Sequence, residues 1–206
     1  SVFFLPIDFI YLVLLGIIIG IFAELYSRYV LLMQNLGKKW YKNKFVLKMS
    51  ICGLILGSIY SFLPSTFHNL DELQKIIAEQ NTSIGIAILA VLVLFITTGL
   101  AASSGAPGGL FYPMLTLGGA IGLIMGSWVE IATGHAPSTY IFAGMGAFVA
   151  GCSRTPITAM FLAFALTKNL LIMKPVLISC IASFLIARAF NEESIYERQI
   201  QIELED

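Results

Sequence analysis

Charge is what this sequence has least of. Only 12% of its 206 residues are Asp, Glu, Lys or Arg, against roughly 25% in an ordinary soluble domain. So little charge cannot coat a globule in water. The basic and acidic residues, twelve of each, cancel to a formal net charge of zero, which excludes the basic surface that nucleic acid requires. Cysteine is scarce as well. Cys52, Cys152 and Cys180 lie scattered in apolar stretches, an odd number without metal-ligand spacing, so neither a disulfide framework nor a metal site is expected. The two histidines, His68 and His135, fall in connecting segments without a catalytic partner. No Ser/His/Asp set, carboxylate pair or Cys/His cluster stands out, so the expectation is a protein that is not an enzyme and holds no cofactor. A secretory leader is also missing. The opening Ser-Val-Phe-Phe-Leu-Pro has no basic region and no initiator Met, and reads as the middle of something longer.

What is present is hydrocarbon. Hydrophobic residues make up 58% of the chain and the mean hydropathy is +0.88. Apolar runs at about 7–32, 45–63, 84–100, 110–131 and 171–190 are near the length needed to cross about 30 Å of bilayer. Two further runs, 139–151 and 156–166, are too short to cross alone and are expected as half-helices inside a bundle. The whole chain, 1–206, therefore reads as one all-α, multi-pass membrane domain of tilted and broken helices. Within it, 37–44 holds four lysines with Trp40 and Tyr41, the mark of a basic cytoplasmic loop with interfacial aromatics. The acidic segment 65–83 is expected on the external side, with a short amphipathic helix carrying Leu70, Leu73, Ile76 and Ile77 on one face. Residues 191–206 form a polar tail in which Ser194 is placed to cap a final helix. Glu24 and Arg28 stand one helical turn apart and can pair.

Small residues recur at four-residue spacing: Gly16 and Gly20; Gly53 and Gly57; Gly118, Gly122 and Gly126; Ala143, Ala147 and Gly151. Such spacing lets helix backbones approach closely in lipid, so all four sets are expected at helix contacts.

The most informative feature is the break between two long apolar runs, Ser103-Ser-Gly-Ala-Pro-Gly-Gly-Leu-Phe-Tyr-Pro113. Gly105, Gly108 and Gly109 let the backbone turn and approach a ligand, and Pro107 stiffens the turn. Pro113 falls in the first turn of the next helix, where its missing N–H costs little. The amides near Leu110, Phe111 and Tyr112 then have no partner within that helix, and the positive end of its dipole faces into the bilayer. Such an end suits an anion. A simple hairpin break is the alternative. No Gly-Lys-Ser/Thr follows, which rules out a P-loop. A second break, Gly151-Cys-Ser-Arg-Thr-Pro156, carries Arg154, an intramembrane charge and so a functional candidate by default. The favoured reading is structural, with the guanidinium on helix C-terminal carbonyls. Tyr196, taken alone, reads as an interfacial aromatic.

Together these residues resemble the CLC family of chloride channels and chloride/proton antiporters. Ser103–Pro113 is similar to that family's Gly-x-Phe-x-Pro element with its leader. Ala143-Gly-Met-Gly-Ala-Phe-Val-Ala-Gly-Cys-Ser-Arg-Thr-Pro-Ile-Thr158 looks like its late membrane segment, and Leu166-Thr-Lys-Asn169 and Tyr196 follow in order. The resemblance covers the C-terminal half of the family's membrane domain. It implies one half of an inverted-repeat fold, in which half-helix N-termini converge on an anion and each subunit of a homodimer has its own pathway. The backbone amides of Leu110 and Phe111 would hold a central chloride as bound substrate, and the Tyr196 hydroxyl would complete the site. Residues 156–166 and 171–190 would contribute to the dimer interface. The implied function is transport of chloride or a similar small anion in a plasma or inner membrane, as a voltage- or gradient-driven channel or as an antiporter with protons.

Two departures stand beside the resemblance. The family's first half, with its Gly-Ser-Gly-x-Pro-like element and its gating glutamate, does not occur in this sequence. Ala165 occupies the place where several antiporters have a glutamate. The alternatives are an assembly fragment that does not transport, or a fluoride-type exporter. Tyr196 weighs against the latter, because such exporters tend to depart at this tyrosine.

Overall fold

The computed structural model describes residues 6–40, 44–80, 82–106, 108–134 and 138–204. The described residues form helices and contain no strand. The first, α1 (Pro6–Trp40), is 35 residues long. The lysine segment expected to be loop from residue 37 is helical through Trp40, while 41–43 lie outside the described residues. The physical reason is favourable charge placement: Lys38 and Lys39 sit in the last turn, where cations meet the negative end of the dipole.

Next come α2 (Phe45–Ser61) and, after a 3-10 turn at Ser65–Phe67, the short α3 (Leu70–Ala78). The side chain of Asn69 caps α3 by accepting from the Asp71 and Glu72 amides, and the helix buries Leu73 and Ile77 against α5. Two long helices, α4 (Ile84–Ser104) and α5 (Phe111–Thr133), flank the glycine-rich break. The two short runs become α6 (Thr139–Ser153) and α7 (Pro156–Thr167), with Pro156 at the first helical position, where a missing N–H is tolerated. The chain closes with α8 (Met173–Phe190) and α9 (Ile195–Leu204). Four of the helical stretches are long and apolar enough to cross a membrane.

The centre of the bundle is α6, thirteen of whose fifteen residues are buried. It lies between α5 and α8, and α8 packs in turn on α1. Small residues make this possible. A Cβ placed on Gly118 would run into the carbonyl of Gly144, and one on Gly122 into that of Tyr140. On α1, a Cβ at Gly16 would stand 2.6 Å from the Ser179 carbonyl oxygen, and one at Gly20 would stand 2.8 Å from that of Ser183. Buried hydroxyls join the same helices. Ser179 donates to the Leu12 carbonyl at 2.9 Å and Ser183 to that of Ala147 at 2.7 Å. Tyr140 donates to the buried carboxylate of Asp8 at 2.8 Å, tying α6 to the start of α1.

Two expectations need correction. Among the described residues the Gly53/Gly57 pair meets nothing within 4 Å, and α2 has no buried residue. Its spacing is that of the other sets, but no described helix lies on that face. And α7, expected inside the bundle, buries only Ala159 and Ala163 and leaves Ile157 and Phe161 exposed. Its composition suits an apolar surround equally well, whether protein or lipid.

Candidate anion site

The break is built as a helix stop followed by an uncapped helix start. Gly105 takes the left-handed conformation, φ +74°, that ends α4. There the Ser104 hydroxyl donates to the Ala101 carbonyl at 2.7 Å and accepts from the Ala106 amide at 3.1 Å. Leu110 is the N-cap of α5, and its side chain supplies no acceptor. Phe111 and Tyr112 open the helix, and Pro113 in the same turn has no N–H to offer. The first-turn amides thus have no acceptor within the helix and no side-chain cap.

A cavity of about 740 Å³ opens onto this helix start. From the break it is lined by Gly105, Gly108, Gly109, Leu110 and Pro113. Around them stand Lys38 of α1, Lys48 and Tyr60 of α2, Thr97 and Thr98 of α4, and Gln199 and Glu203 of α9. Two lysines against one glutamate give the wall a net positive charge, which together with the helix dipole favours a visiting anion. Lys48 reaches over the break: its Nζ lies 3.0 Å from where a Gly105 Cβ would stand. Lys38 donates to the Ile202 carbonyl at 2.7 Å.

Five residues singled out from the sequence are therefore brought together: Gly105, Gly108, Gly109, Leu110 and Pro113. Pro107 lies outside the described residues. Phe111 and Tyr196 do not line this cavity. The Phe111 ring makes an edge contact with Tyr112 at 6.4 Å between centroids. Tyr196 lies one residue into α9, its side chain partly exposed. That helix begins with a reciprocal cap: the Ser194 hydroxyl accepts from the Glu197 amide at 3.2 Å, and the Glu197 carboxylate accepts from the Ser194 amide at 2.6 Å.

Arg154 has the structural surroundings expected of it. It donates to the Gly151 carbonyl, to that of Ala187 at 3.1 Å and to that of Asn191 at 2.9 Å, so it caps α6 and α8 together. Sequence reading missed its carboxylate partner. Glu24, 3% exposed, accepts from Arg28 at 2.9 Å and Arg154 at 2.9 Å, and from Arg198 at 3.1 and 3.2 Å. A signal existed: Glu24 is an ionisable residue deep in an apolar run, and such residues take partners.

The sequence profile of the voltage gated chloride channels matches residues 2–188. The chain belongs to that family. The profile reaches α8 and stops short of Tyr196. Among curated relatives, the H(+)/Cl(-) exchange transporter ClcA of Vibrio parahaemolyticus serotype O3:K6 is 29% identical over 191 residues, covering 90% of this chain and 41% of its own length. Among solved structures, a slow cyanobacterial Cl-/H+ antiporter superposes with a TM-score of 0.83 at 24% identity, over 97% of this chain and 47% of that one. A eukaryotic CLC transporter does so with a TM-score of 0.78 at 22% identity, over 98% and 36%. These likenesses establish the fold: a polytopic helical membrane protein of CLC type. The chain spans less than half the length of each of these relatives.

Proposed function

We propose that the full-length protein carries chloride, or a similar small anion, across a plasma or inner membrane, and that this chain supplies one half of the pathway. The observation that carries the reading is the uncapped start of α5 opening onto a positively lined cavity, in a member of the voltage gated chloride channel family. The anion is held by the amides of Leu110 and Phe111, and the Tyr196 hydroxyl donates a further hydrogen bond. Dipoles and a hydroxyl suit this task better than a direct lysine contact, because conduction needs binding weak enough for exit. Lys38 and Lys48 then act from the cavity wall, raising the local anion concentration without coordinating the ion.

The relatives named as proton exchangers support coupling to protons. Family membership also supports a partner half packed against this one and a homodimer. The apolar side chains left exposed on α7 and α8, Ile157, Phe161, Ile181 and Leu185, suit such a contact. The test is flux from liposomes holding the full-length protein, with chloride and proton movement recorded together. Chloride efflux that drives protons against their gradient is the expected result. Chloride efflux without protons would make the protein a channel. Absence of chloride efflux would overturn the chloride assignment.

A further inference from the structure

Glu24 joins three parts of the chain that are far apart in sequence. Its carboxylate is held by Arg154, at the break between α6 and α7, and by both terminal nitrogens of Arg198, on the first turn of α9. Arg154 also donates to Ala187 and Asn191, the last carbonyls before the chain turns from α8 into α9. The elbow at 191–194 is therefore gripped on both sides, with Glu24 bridging the two grips. Two more contacts tie α9 to α1: Gln199 donates to Gln34 at 3.3 Å, and Lys38 to the Ile202 carbonyl at 2.7 Å. Tyr196 sits between the elbow and Arg198, two residues from the guanidinium.

We propose that Glu24 and Arg198 are positioning residues that clamp the start of α9 on α1 and so fix where the Tyr196 hydroxyl stands. This rests on the reading of Tyr196 as an anion ligand. The side chains of Glu24, Arg154 and Arg198 are 4%, 7% and 11% exposed, so the bridge is shielded from the water and salt that weaken surface pairs. The planar guanidinium of Arg198 meets both carboxylate oxygens, which fixes direction as well as distance. Arg28 is the exposed third cation, so removing Arg198 leaves the carboxylate with two partners.

The experiment uses the full-length protein with Arg198→Ala and Arg198→Lys, each with Tyr196 or Tyr196→Ala, and reads two quantities. The first is hydrogen exchange of the amides over 195–200. The second is chloride turnover in liposomes. Arg198→Ala should speed exchange there and change turnover about tenfold, within the range that coupling residues reach. Arg198→Lys should restore part of both. In the Tyr196→Ala background, Arg198→Ala should still speed exchange but leave turnover unchanged, because the clamp acts through the tyrosine. Unchanged exchange overturns the clamp. An equal effect on turnover in both backgrounds overturns its action through Tyr196. If the unsubstituted protein moves no chloride, the transport reading fails, and the exchange measurement alone decides whether the clamp holds α9.

Discussion

Gly122→Ala should loosen the centre of the bundle, and the structure sets the size of the effect. An added Cβ would overlap the Tyr140 carbonyl oxygen and stand 2.9 Å from the Ile141 Cα and 3.0 Å from the Tyr140 carbonyl carbon. Carbon atoms pack best at about 3.5–4.0 Å, so α5 and α6 must separate by roughly half an ångström to one ångström. The obstructing atoms are backbone and cannot rotate aside. Overpacking of this kind costs about 1–3 kcal/mol. Alanine also favours the helix over glycine by roughly 0.5–1 kcal/mol, which partly offsets that cost. Gly57→Ala is the comparison, because among the described residues nothing lies within 4 Å of its Cβ, leaving the propensity gain. Equilibrium unfolding of the full-length protein by SDS in mixed micelles would measure both. The two variants should differ by about 1–3 kcal/mol, with Gly122→Ala the less stable. Equal stabilities, or a costlier Gly57→Ala, would refute the claim that backbone contact between α5 and α6 organises the core.

Two more outcomes follow from single contacts. Tyr140→Phe removes the hydroxyl that donates to buried Asp8, and should cost about 1.5–3 kcal/mol in the same unfolding assay, as loss of a hydrogen bond to a charged group does. Gly105→Ala puts a Cβ on a left-handed residue beneath Lys48, and should cost about 1–2 kcal/mol. If the break also shapes the anion path, that variant should weaken chloride binding measured by calorimetry.

The helices were largely legible because their limits are chemical. Pro156 starts α7, Gly105 ends α4, and Ser194 accepts from a first-turn amide of α9. Each is a local event that a short stretch of sequence contains. The end of α1 was not legible, since lysines mark a membrane boundary without ending a helix. Nor could the spacing of Gly53 and Gly57 distinguish them from Gly118 and Gly122. Periodicity says that a helix has a smooth face, and the partner decides whether that face is used. Gly105 was legible as the turn because its left-handed backbone favours glycine, whereas Gly108 and Gly109 have neither a positive φ nor a described neighbour within 4 Å. The Glu24 cluster was not, because Arg154 and Arg198 lie 130 and 174 residues further along the chain. Only the folded bundle brings α6, α8 and α9 to the same turn of α1.

Bromide tests whether the start of α5 holds an anion. Bromide replaces chloride and scatters X-rays anomalously, so crystals of the full-length protein grown in bromide would locate the ion. A peak should stand within hydrogen-bond reach of the Leu110 and Phe111 amides and the Tyr196 hydroxyl, and be lost or weakened in Tyr196→Ala. A bromide peak elsewhere in the membrane domain, with none at the start of α5, would contradict it.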